Sequence, residues 1–190
     1  MRTQTRTRLS REDWTAAGLV ALAEGGIAAV AIEPLAARLG ATKGSGYWHF
    51  ANRAALVEAT LERWEREHTE LVIAEVDQHG DSVERLRTLL HAVIGHAGPQ
   101  TVELALLAWA DDPVVAPILR RVTERRLSYV AQLFDDLGFH HQEAERRALL
   151  AYTTYLGHAQ LARTAPDAVP SGSTSAYLNS LLTALTGPTT

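Results

Sequence analysis

The chain has 190 residues, 46% of them apolar and 21% charged, and a net charge of −4. That balance suits a globular protein with ample material for a core and excludes a disordered or collagen-like chain. The absence of cysteine excludes disulfide staples, thiolate zinc sites, iron–sulfur clusters and a thiol nucleophile, and it favours a reducing compartment.

The longest mainly apolar stretch, Trp14 to Ala23, is too short to span a bilayer. The start Met1-Arg-Thr-Gln-Thr-Arg-Thr-Arg lacks the apolar region of a secretory signal, so the expected location is cytoplasmic. Charge is uneven along the chain. Residues 1–53 hold seven basic and four acidic groups, a balance of +3, and the rest carries −7. A cationic head on an anionic body fits a head that meets a polyanion.

Nearly every segment has helical periodicity. Ser10 with Asp13 caps a first helix whose apolar stripe is Trp14, Ala17, Gly18, Ala21 and Leu22, and Gly25-Gly26 ends it. A short helix from Ile32 to Leu39 follows, with Pro34 in its first turn. Gly40 closes it, and Thr42 caps a third helix to Phe50. Asn52 opens a long fourth helix to about Val76, whose stripe Val57, Leu61, Trp64, His68 and Leu71 predicts one inward face. Asp81 caps a helix running to about Ala97, Gly98-Pro99 breaks it, and a shorter one reaches Ala110. Asp112-Pro113 opens a helix to Leu137-Gly138. Two more, Gln142 to Arg163 and Ser175 to Leu185, flank a loop with two prolines. The reading is all-α: a three-helix head (residues 8–68) and a larger bundle (69–190), about nine helices in total.

The informative stretch is Ile32 to Phe50. Two short helices meet at Leu39-Gly40-Ala41-Thr42, the grammar of a helix-turn-helix. In that motif the second helix enters the major groove by its N-terminal residues. Here these are Thr42, Lys43, Gly44 and Ser45, short, polar or cationic, which suits a groove floor. A basic arm containing Arg2, Arg6, Arg8 and Arg11 precedes them, either a bare tail or a phosphate-binding arm.

Ile27, Leu35-Ala36, Leu39-Gly40, Thr42, Tyr47-Trp48-His49-Phe50 and Arg53-Ala-Ala-Leu56 resemble the TetR/AcrR family of bacterial transcriptional regulators over residues 9 to 64. The resemblance implies a DNA-binding head and a helical body that binds a small molecule and dimerises. Its DNA-contacting set would be Thr42, Lys43, Gly44, Ser45, Tyr47, Trp48, His49 and Arg53, with Arg8 and Arg11; Phe50 reads as core. The chain departs from the family pattern at Ala31, a weak cap, and at Ala41 and Gly46, where larger apolar residues are usual. Two glycines, Gly44 and Gly46, cost a short helix roughly 1 kcal/mol each, which predicts a loose recognition helix.

Chemistry other than binding finds little support. No two of the eight histidines are spaced i, i+3 or i+4, and Glu75/His79 and His141/Glu145 read as surface pairs. Neither a phosphate loop nor a nucleophile elbow occurs. No catalysis, metal or cofactor is expected.

In the body, Trp64, His68, His91, Trp109, Tyr129, Tyr152 and Tyr155 are the candidate ligand-binding residues, on the strength of the resemblance. None is Arg or Lys, which predicts an apolar or aromatic ligand. The resemblance also assigns dimerisation to the last two helices through Leu149, Thr153, Leu156, Gly157, Gln160, Leu178, Leu181 and Leu182. Packing within the protomer explains the same residues equally well. The expected function is an operator-binding regulator, a homodimeric repressor released by a small molecule. The alternative is a helical carrier or enzyme whose head has lost DNA. A non-specific architectural DNA protein is disfavoured by the acidic body.

Overall fold

The structure, a computed structural model, describes residues 9–95, 102–170 and 175–188. Arg2, Arg6, Arg8, His96 and Gly98-Pro99 lie outside the described residues. The described residues are α-helical with short 3-10 turns and contain no strand. The helices are α1 (Arg11–Gly25), α2 (Ile32–Arg38), α3 (Lys43–His49), α4 (Arg53–Glu65), α5 (Leu71–Val76), α6 (Ser82–Gly95), α7 (Val102–Leu107), α8 (Val115–Asp136), α9 (His141–Thr164) and α10 (Ser175–Thr186). A π turn, Arg66–Glu70, joins α4 to α5. Counted as one helix, α4 and α5 bring the described total to nine.

The chain divides into two compact units, one of residues 1–64 with 105–118, the other of 65–104 with 119–190. In the first, Ser10 starts α1 as a reciprocal cap. Its Oγ accepts from the Asp13 amide at 3.2 Å, and the Asp13 carboxylate accepts from the Ser10 amide at 2.7 Å. Trp14, Leu22, Ile32, Leu35, Phe50, Leu56, Leu61 and Trp64 are fully buried in this unit. Fully burying an aliphatic or aromatic side chain of this kind contributes about 1.5–3 kcal/mol.

Gly46 is where α3 closes on that core. A Cβ there would lie 2.7 Å from Ile32 Cγ2 and 2.8 Å from the Trp14 ring. The missing side chain is therefore space that Trp14 occupies. The glycine that weakens α3 by propensity also seats it against α1 and α2.

In the second unit α5, α6, α8, α9 and α10 share a core that includes Val76, Leu86, Leu90, Ile94, Leu133, Phe134, Ala148 and Leu178. Ala144, Ala148 and Ala151 are buried along α9, and small residues at those positions admit close helix approach. Arg147 is buried, donates to the Leu185 carbonyl near the end of α10, and stacks 4.0 Å from the Phe139 ring centroid.

The sequence stripe along the fourth helix fails beyond Trp64. Val57, Leu61 and Trp64 are buried as expected, but His68 is exposed and Leu71 is 56% exposed. Thr69, Ile73 and Val76 are buried instead. The cause is the π turn. Its wider hydrogen-bonded ring inserts one residue, so the buried positions jump by five from Trp64 to Thr69 before the ordinary rhythm resumes.

Candidate functional site

The first candidate is the exposed side of the α2–α3 corner. Gly40 turns the chain with φ +62, a conformation that glycine adopts without strain, and the Ala41 amide returns to the Ala36 carbonyl at 2.8 Å. Thr42 then caps α3, its Oγ1 accepting from the Ser45 amide at 3.3 Å. Thr42, Lys43, Gly44, Tyr47 and Trp48 face outward, with Tyr47 48% and Trp48 66% exposed. Ser45 and His49 are half-buried.

Tyr47 donates to the Glu33 carboxylate of α2 at 3.2 Å, and that bond raises its pKa above the ordinary phenol value. The Trp48 ring meets His49 edge-on at 4.6 Å, and His49 Nε2 lies 2.9 Å from the Leu9 carbonyl, tying the start of α1 to α3. Arg11 lies over the Phe50 ring at 5.3 Å. Arg53, expected on DNA, is committed to the fold: it donates to the Val30 carbonyl at 3.0 Å and the Ile27 carbonyl at 2.6 Å. Arg8 lies outside the described residues.

The aromatic candidates for ligand binding are divided between the two units. Trp64, buried, and Trp109, half-exposed, belong to the first unit, whereas the other candidates belong to the second. His68 is exposed and His91 half-buried. Tyr129 donates to Asp77 at 2.7 Å, and burial together with that carboxylate pushes its pKa well up. Tyr152 and Tyr155 do come together, with ring centroids 6.1 Å apart.

Beside them lies a buried polar cluster that the sequence pattern did not disclose. Arg126 of α8 donates from Nη1 to Glu103 of α7, from Nε to Thr69 Oγ1 at 2.9 Å, and from Nη2 to the His68 carbonyl at 3.0 Å. Desolvation works against the Arg126 charge, but the Glu103 carboxylate outweighs it and raises the pKa. Burial, and then the Glu103 carboxylate, push the Tyr155 pKa up, and the hydroxyl oxygens of Tyr152 and Thr123 lie 3.4 Å apart. A signal existed. Arg126 falls on the stripe of Val122 and Val130, both buried, where an arginine is out of place. Arg126 and Glu103 stand outside the candidate set expected from the sequence.

On α9, Leu149, Leu150, Thr153, Gly157, Gln160 and Leu161 are exposed along one side, with Leu156 half-buried. Leu178 and Leu182 of α10 do not join that surface; both are buried in the core of their own unit, and the half-buried Leu181 packs against that core. The leucines of α10 thus pack within the protomer. His141 lies 3.0 Å from Asp135 and 3.5 Å from Glu145, which raises its pKa, the Asp135 bond contributing most. Among the described residues no three His, Cys, Asp or Glu side chains gather as a metal site, and no helix is long and apolar enough to cross a membrane.

Residues 15–60 match the model of bacterial regulatory proteins of the tetR family. No curated protein matches the chain in sequence. Among solved structures, a transcriptional regulator from Rhodococcus sp. Rha1 is 24% identical, with TM-score 0.74 over 94% of this chain and 95% of that one. A TetR transcriptional regulator from Legionella pneumophila is 12% identical, with TM-score 0.76 over 95% and 97%. One from Chloroflexus aurantiacus is 23% identical, with TM-score 0.72 over 93% and 91%. The chain shares its fold with these regulators, and its head, residues 15–60, matches the tetR family of bacterial regulatory proteins around a capped α3.

Proposed function

We propose that this regulator is a homodimeric repressor that holds a pseudo-palindromic operator in the cytoplasm and is released by a small molecule bound in its second unit. The observation that carries the reading is the outward set on α3. Thr42, Lys43, Tyr47 and Trp48 are exposed together while Gly46 and Phe50 anchor the same helix. Cationic, hydroxyl and indole donors along the exposed side of such a helix suit phosphate and base-edge contacts. The exposed Leu149, Leu150 and Leu161 support self-association, as does Gly157, where a Cβ would meet nothing within 4 Å. A surface glycine on an apolar face leaves room for a partner helix.

Retardation of operator fragments selected from the source genome tests the reading. Wild-type protein binds one fragment in preference to scrambled DNA. Lys43→Ala and Tyr47→Phe weaken binding with the fold intact, and Lys43→Ala lowers the salt slope by about 0.9, because one phosphate is no longer neutralised. Unchanged affinity in Lys43→Ala would remove α3 from the interface.

A further inference from the structure

Glu103 is the one carboxylate among the buried side chains of the described residues, and its charge partner sits on another helix. A buried ion pair seldom stabilises a fold better than apolar residues of the same volume. The fold alone therefore gives no reason for an arginine on the apolar stripe of α8. The Arg126 Nη1 donates to the Glu103 carboxylate, and the Tyr155 hydroxyl feels the same carboxylate. Arg126 is fixed from behind by Thr69 Oγ1 and the His68 carbonyl, so its Nη1 is held ready for a carboxylate oxygen whether or not Glu103 supplies it. The Tyr152 and Tyr155 rings, inclined at 44°, supply an aromatic wall beside the charge. Glu103 reaches this place from α7, a helix of only 6 residues.

We propose that Glu103 is an internal placeholder, and that the effector is a small carboxylic acid with a planar, aromatic body whose carboxylate takes the place of Glu103 on Arg126. This rests on the reading that the second unit binds the effector, and it replaces an uncharged ligand by an anionic one. Exchange releases α7 from α8, whereas Arg126 retains its bonds to the π turn.

Calorimetric titration of the full chain with sodium benzoate and with benzamide tests it. Benzoate binds Glu103→Gln at least ~tenfold more tightly than wild type, because the competing charge is gone. Arg126→Met abolishes benzoate binding, and benzamide binds all forms alike and weakly. A merely structural pair gives the opposite: Glu103→Gln loses stability and gains no affinity. Benzoate binding that is equal in wild type and Glu103→Gln, or matched by benzamide, overturns the proposal. If Glu103→Gln does not fold, wild type decides alone. Benzoate then binds more than ~tenfold tighter than benzamide and speeds amide exchange in residues 102–107; equal binding overturns the proposal. Operator retardation run in parallel separates the two readings. Lys43-dependent operator binding without charge-selective benzoate binding removes the carboxylate seat and leaves the regulator; the converse removes the regulator and leaves the seat.

Discussion

Gly44 and Gly46 stand in the same short helix for different reasons. A Cβ on Gly46 collides with Ile32 and Trp14, whereas one on Gly44 meets only Thr42 Oγ1, at 3.9 Å. Gly46→Ala therefore lowers stability by about 1–3 kcal/mol, since overpacking outweighs the gain in helix propensity. Gly44→Ala raises it by about 0.4–1 kcal/mol. Denaturant melts of the two variants check both signs. Arg53 supplies a further contrast at this scale. Its guanidinium serves two backbone carbonyls, so Arg53→Met lowers stability by about 1–3 kcal/mol and leaves the salt slope of DNA binding unchanged, unlike Lys43→Ala. Sequence displayed each of these residues and hid its partner. Trp14 meets Gly46 from another helix, and Arg53 reaches back across the head, so no local pattern reports either contact.

Helix starts were the legible part, because a cap lies within four residues of what it caps. Ser10, Thr42, Asn52 and Asp81 all accept the amide bonds that their spacing predicts. The Asp13 cap also sets an acid response. The Ser10 hydrogen bonds hold its carboxyl below 3.8, and the Arg38 hydrogen bond holds Glu24 below 4.5. Carboxylates with depressed values stabilise the fold at neutral pH, and that contribution is lost as pH falls through the depressed values. Circular dichroism should show Asp13→Asn to be weaker at pH 7 and less sensitive to acid below pH ~4. The π turn was illegible, since one inserted residue alters phase but not composition. Deleting Glu67 brings Thr69, Ile73 and Val76 into plain helical phase with Trp64. The deletion variant should keep the wild-type helical signal at 25 °C by circular dichroism, and its loss at that temperature would show the turn to be indispensable.

For the molecule as a whole, the helices of head and body are readable in the sequence, but the packing of the body is not. A helix-turn-helix is a local motif of fixed spacing, whereas a helical body is specified by which apolar face meets which, and leucines look alike in a core and at a surface. Leu178 and Leu150 illustrate this. One is buried, the other 59% exposed, and each sits on an apolar stripe. The exposed side of α9 carries the assembly prediction. Leu150→Asp with Gly157→Glu should convert a dimer into folded monomers by light scattering, with operator affinity falling sharply. Paired heads should require half-sites ~34–36 Å apart, or a multiple of that, which fragments of altered spacing will test. The acidic residues of 54–190 stand against the cationic residues of 1–53, so non-specific DNA binding should fade at moderate salt.

The indoles divide into two optical classes. Trp14 and Trp64 are sealed from solvent, whereas Trp48 is open on α3 and Trp109 partly so. Iodide should silence the open pair and spare the sealed pair, leaving a blue-shifted remainder that reports whether the head is folded. In a Trp109→Phe background the quenchable emission belongs to Trp48 alone. The chain then carries an intrinsic lamp on α3. Shielding of that lamp from iodide would time the arrival of operator DNA without a dye on either molecule, while the sealed pair registers any unfolding in the same spectrum.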